Sequence, residues 1–209
     1  NNAVAVDLDT GRETKCAVWI EKGRIQGLSE PLTGERADTA AEILLDAGGA
    51  YILPGLIDFH AHFYHGGTNT ALEFYRYLSD GVTNAVDAGS AGDSNIESFI
   101  HLLSERERRN VKLYLNLASE GLSCLGDHNE NINPKYFNEQ KILRICKRYS
   151  DLIAGLKLRI SAEIATDSQT TSFDALRRGI EIAQRCGLPL SVHMPNFQGE
   201  LSGLIDILR

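Results

Sequence analysis

No stretch of this sequence concentrates lysine and arginine, and the formal net charge is -7. A groove for nucleic acid or a face for anionic membrane is therefore not expected, and a small molecule is the expected partner. The four cysteines, Cys16, Cys124, Cys146 and Cys186, are widely spaced with no C-x-x-C pair. That argues against a zinc knuckle and against a disulfide framework, and it suits a reducing cytoplasm. The N-terminus shows neither a basic region nor an apolar one, so no secretory signal is expected, and the location expected is cytoplasmic. The apolar run near residue 51 is too short to span a membrane. What remains is an ordinary soluble composition, 43% hydrophobic and 23% charged over 209 residues, enough to bury a sizeable core.

Within that composition one stretch stands out: residues 51–62, an apolar run that ends in His60-Ala61-His62. Side chains alternate along a strand, so Asp58, His60 and His62 share one face while Ile57, Phe59 and Ala61 take the other. Paired imidazoles at a strand end suit a divalent cation of zinc type. The spacing alone fits two exposed histidines equally well.

Before this stretch, residues 3–6, 16–20, 24–28 and 42–45 read as short strands separated by turn clusters such as Asp9-Thr10-Gly11 and Glu21-Lys22-Gly23. A small sheet domain over residues 1–50 is expected. After it, strands alternate with helical periods through residues 51–209. Leu72, Tyr75 and Leu78 mark a helix that Gly81 ends, and residues 82–87 follow as a strand. Ile96, Phe99, Ile100 and Leu103 mark a second helix with a basic last turn. Residues 111–117, 152–160 and 189–194 are the next strands. Between them lie helices over 139–149 and from about 172, where Ser172 is the expected N-cap. Five strands joined by helices imply parallel pairing with right-handed crossovers, in a barrel or a doubly wound sheet. In either, function collects at strand C-termini, where His62, Asp87, Lys157, Arg159 and His193 all fall.

Lys157 sits on a strand whose Leu156, Leu158 and Ile160 occupy one face, leaving Gly155, Lys157 and Arg159 on the other. Burial of an ammonium is costly and lowers its pKa. A neutral amine can take up carbon dioxide as a carbamate, an oxygen ligand able to bridge two metals; pairing with an acid is the simpler alternative. Arg159 offers a planar fork for a substrate carboxylate or for interior acids. Asp87 is either a turn former or a support for the site. Cys124, Asp127 and His128 lie in a polar loop and read as solvated or as lining a pocket.

The motif Pro54-Gly55-Leu56-Ile57-Asp58-Phe59-His60-Ala61-His62 resembles the first barrel strand of the amidohydrolase superfamily. Blocks around Gly81 to Gly92, Gly155 to Ser161 and Gly187 to His193 resemble its deacetylase-like branch, related to the dihydroorotases. Dihydroorotases place Arg two residues after the second histidine, where this chain has Tyr64. The resemblance implies an α/β fold: a (β/α)8 TIM-type barrel, its first five βα units present, beside a small N-terminal β-sandwich. It implies metal ligands His60, His62, Lys157 and His193, two divalent ions of zinc type, and a carbamate on Lys157. Arg159 and Asp87 are expected at the substrate. The implied activity is hydrolysis of a C–N amide bond, as in an N-acyl amino acid, or of an ester, by a metal-bridged hydroxide. A mononuclear deaminase and a non-catalytic, degenerate paralogue are the alternatives, and homo-oligomers are left open. A (β/α)8 barrel takes roughly 250 residues, so a longer native protein is expected, supplying a sixth-strand His and an eighth-strand Asp.

Overall fold

Lys22 and Gly23 both take left-handed backbone angles, with φ of 50° and 72°, the geometry a two-residue hairpin turn demands. This turn joins β2 (Glu13–Glu21) to β3 (Arg24–Ser29), and β2 also pairs antiparallel with β1 (Ala3–Val6). A two-residue strand β4 (Tyr51–Ile52) adds in parallel to the free side of β1, giving the order β3-β2-β1-β4. The computed structural model describes residues 1–33, 41–164, 169–197 and 199–208. It divides into two compact units, Asn1–Gly55 and Leu56–Arg209.

In the first unit the described residues form one four-stranded sheet. The strand expected over 42–45 does not form, and Ile43 and Leu45 are each 76% exposed.

The second unit is built on five strands, β5 (Leu56–Ala61), β6 (Val82–Asp87), β7 (Val111–Asn116), β8 (Ile153–Arg159) and β9 (Leu190–His193). They pair in parallel in sequence order and form a curled sheet. The intervening helices are α1 (Phe74–Ser79), α2 (Ile96–Leu102), α3 (Glu105–Asn110), α4 (Glu139–Arg148) and α5 (Gln169–Cys186); α6 (Leu201–Leu208) follows β9. Leu115, Leu156, Leu158 and Ile160 are fully buried with Ile142 and Leu176 from the helices. Parallel strands covered by helices are therefore rich in Leu and Ile rather than strictly alternating in polarity.

Three helix expectations change. In α1 the buried residue is Phe74, whereas Leu72 and Tyr75 are exposed. The helix is short, and its inner face is set by Phe63, which meets Phe74 and Tyr77 edge to face at 5.7 and 5.4 Å between ring centroids. The second expected helix is two helices. Leu103 is extended, and Ser104 opens α3 with a reciprocal cap in which Glu107 N donates to Ser104 Oγ and Glu107 Oε2 accepts from Ser104 N. Ser172 is a buried residue inside α5 rather than its N-cap.

Candidate metal centre

Alternation along β8 sends Leu156 and Leu158 to the helix side and leaves Lys157 on the opposite face, 4% exposed. Parallel register then sets Lys157 beside Asn116 of β7 and Ser191 of β9, and Arg159 beside His193. His60 arrives from β5, three strand spacings away, which would be roughly 14 Å in a flat sheet. Yet Lys157 Nζ lies 3.5 Å from His60 Nε2. The curl of the sheet closes that gap. The His60 ring stands 5.7 Å from His62 and 6.2 Å from His193 between centroids. Thus four residues separated by up to 133 positions, 193 minus 60, meet at one end of the sheet.

All four groups are pushed toward the uncharged form. Burial lowers the pKa of His60, and Lys157 adds to it; Asp58 opposes. His62 falls to about 4, from burial and then from His60, Lys157 and His193. His193 is lowered by burial, Lys157, Arg159 and His60. Burial lowers Lys157 as well, against the pull of Glu130 and Asp87. Nitrogens facing one another, each penalised for carrying a proton, make a cradle for a cation. The residues present fit divalent metal. Among the described residues, however, the trio of His, Cys, Asp or Glu whose donor atoms all lie within 4.8 Å of one another is Glu120, Cys124 and His128. The three imidazoles are spread more widely, with the Lys157 amine within 3.5 Å of His60.

Behind His62 is a relay of which reading the sequence singled out one member, Asp87, and missed the other, Ser90. Asp87, 1% exposed, accepts from Phe63 N at 2.7 Å, Gly89 N at 3.1 Å, Ser90 N at 2.8 Å and Ser90 Oγ at 2.8 Å. Ser90 Oγ is 2.9 Å from His62 Nδ1. Because the serine proton goes to Asp87, His62 donates from Nδ1 and keeps the Nε2 lone pair for a metal. Asp87 is thus both a turn former and a support. Ser90 carried no signal beyond its place in Asp87-Ala-Gly-Ser.

Two more residues were not anticipated. Glu130, buried in the polar loop, accepts from Asn116 Nδ2 at 2.8 Å and from Arg159 at 3.3 Å, and burial raises its pKa. Asn116 also donates to Gly89 O at 3.1 Å. Its place opposite Lys157 was readable from strand alternation, whereas Glu130 lies in a loop with no periodicity to mark it. Arg159 donates to Ser161 at 3.0 Å, Glu130 at 3.3 Å and Glu163 at 2.6 Å. Those contacts use three of the five guanidinium N–H groups.

No family model matches the chain. A deacetylase of Agrobacterium fabrum is 36% identical over 163 residues, which is 78% of this chain and 38% of that protein. The crystal structure of a dihydroorotase superposes with a TM-score of 0.73 at 30% identity, covering 92% of this chain and 49% of the other. The crystal structure of an adenine deaminase gives a TM-score of 0.70 at 18% identity over 98% of this chain and 53% of its own, a likeness of fold alone. The chain therefore spans between about two fifths and just over half of the length of these three proteins. With the paired histidines, the lysine and the fifth-strand histidine on one curled parallel sheet, and with these similarities, the chain belongs to the amidohydrolase superfamily and sides with its deacetylase-like members.

Proposed function

We propose that the protein is a metal-dependent hydrolase of C–N amide bonds in small molecules, with an N-acyl amino acid or a related amide as the substrate class and an ester as a close variant. The observation that carries the reading is the approach of Lys157 Nζ to His60 Nε2 at 3.5 Å amid His62 and His193. His60, His62 and His193 are assigned as ligands to two divalent ions of zinc type. Lys157 is assigned as the bridge after its neutral amine adds carbon dioxide, forming an N–C bond and releasing a proton. Bound metal would supply a Lewis acid for the carbonyl and a water with its pKa lowered toward ~7.

The chain's own residues do the rest. Ser90 and Asp87 orient His62, and Glu130 with Arg159 sets the polar wall beside Lys157. The two guanidinium N–H groups not used by Ser161, Glu130 and Glu163 are assigned to a substrate carboxylate. For the whole protein we infer a closed (β/α)8 barrel with an N-terminal β-sandwich and a cytoplasmic location. No helix among the described residues is long and apolar enough to cross a membrane.

The test is metal content and hydrolysis of a panel of N-acyl amino acids by the protein and by its Lys157→Ala variant. Two metals per chain and amide cleavage in the parent, with loss of both in the variant, are expected. Full activity with two metals in Lys157→Ala removes the bridging assignment. One metal in the parent favours a deaminase, and none favours a non-catalytic role.

A further inference from the structure

Glu120, Cys124 and His128 recur every fourth residue, but they do not lie on one α-helix. Gly121–Cys124 is a 3-10 turn, and the chain then folds back so that Asp127 N and His128 N both donate to Cys124 O at 3.1 Å. That reversal returns the imidazole over the thiol. Glu120 is held from the other side, because Asn95 Nδ2 donates to its carbonyl at 2.9 Å and to Ser123 Oγ at 2.8 Å. Leu122 N donates to Ser90 O at 3.0 Å. Gly121 has φ of 56°, and a Cβ there would lie 2.6 Å from Ser90 O, so the loop is seated directly on the segment after β6. These bonds hold the backbone of the loop in place, so the three residues are brought together without help from a ligand.

We propose that Glu120, Cys124 and His128 form a further metal site, distinct from the His60 cluster, that takes a borderline-soft divalent cation of the zinc or cobalt class. One thiolate, one imidazole and one carboxylate are a zinc-type set and a poor one for magnesium or calcium, which take oxygen ligands. The donor atoms lie within 4.8 Å of one another. Metal bonds of ~2.0–2.3 Å set tetrahedral donor separations of roughly 3.5 Å, so closure needs movement of about an ångström. The exposed side chains of Glu120 and His128 can supply it, whereas Cys124 is buried and anchored. His128 Nε2 is 2.9 Å from Glu120 Oε2, and Cys124 Sγ donates to Gly121 O at 3.2 Å. Binding replaces the S–H bond with a metal–sulfur bond and releases that proton to solvent. Three protein ligands leave a fourth position for water or for a small ligand entering from outside. Ser90 connects the two places, because its carbonyl holds Leu122 and its hydroxyl holds His62.

Cobalt(II) is the probe, since only a cysteine ligand produces a thiolate-to-metal charge-transfer band and the His60 cluster contains no sulfur. The full chain titrated with Co(II) should develop that band, and it should persist when His60→Ala and His62→Ala are combined. Cys124→Ser should abolish it. His128→Ala, a change at an exposed position, should weaken Co(II) binding at that band by more than about tenfold, the low end of what even an outer-shell change costs. No band in the parent, or a band that survives Cys124→Ser, overturns the site. A band lost with the His60 and His62 changes but indifferent to His128→Ala also overturns it. The fate of the hydrolase assignment is read separately from Lys157→Ala.

Discussion

Ser90 Oγ stands between two groups that never touch, 2.9 Å from His62 Nδ1 and 2.8 Å from Asp87 Oδ2. The serine is fully buried and fixes which imidazole nitrogen faces the metal position. Ser90→Ala removes the acceptor for Nδ1–H and frees the ring to rotate or change tautomer. Metal affinity should fall by about 10- to 100-fold, measured by competition with a chelator, while far-ultraviolet circular dichroism stays that of the parent. Unchanged affinity would show that the contact does not orient the ligand.

Gly89 has φ of 87°, and a Cβ there would meet Lys157 Cβ and Cγ at 2.6 Å. Gly89→Ala therefore forces the left-handed backbone to carry a side chain, which costs about 1–2 kcal/mol, and displaces Lys157. Lower denaturant midpoint and loss of bound metal together are the expected result. A loss of stability with full metal content would mean that Lys157 keeps its place.

Arg159→Met should raise KM for carboxylate-bearing substrates more than it lowers kcat, and should leave uncharged amides of similar size little affected. Steady-state kinetics on a matched pair of substrates separates the two. An equal loss on both substrates assigns Arg159 instead to holding Glu130 and Glu163.

Among the groups that make metal-free stability depend on pH, His62 and Asp87 act in opposite directions. His62 is lowered from 6.5 to about 4, mainly by burial, so from pH 4 to 6.5 the folded chain binds fewer protons than the unfolded one and stability rises with pH. Burial raises Asp87 from 3.8 to about 6, although four hydrogen bonds oppose it. Over that interval the folded chain retains a proton that the unfolded chain has lost, and this contribution falls as pH rises. Urea midpoints between pH 4 and 7 should therefore climb less in His62→Asn than in the parent, and more in Asp87→Asn. Identical slopes in all three proteins would refute both shifts.

Alternation along single strands was the most readable part of the site. It put Lys157 opposite Leu156 and Leu158, and the observed burial has Leu156 and Leu158 on the helix side. The last four strands of the second unit were readable to within a residue or two, because β-rich apolar runs bounded by turn residues have few other uses, whereas the run over 51–62 is split, Tyr51–Ile52 pairing with β1 and Leu56–Ala61 forming β5. Helix detail was less readable. Leu72 and Tyr75 have the right period for an inner face, but which face is inner depends on Phe63, whose ring arrives from another strand. The break at Leu103 depends on a local cap at Ser104 that apolar spacing does not record.

By itself, the sequence determined the parallel sense of the strands, the residues whose side chains leave the helix-facing side of β8, and the chemical kinds of donor at each strand end, because these follow from periods of two and 3.6 and from residue type; the order of the strands in the sheet came from the structure. Tertiary structure alone decided that His60 and Lys157, 97 positions apart, come within 3.5 Å, that Ser90 and Glu130 belong to the same network, and that the donor atoms of Glu120, Cys124 and His128 come within 4.8 Å of one another in their loop. Sheet curl and chain reversal set those meetings, and both arise from packing among many residues rather than from the period of any one segment.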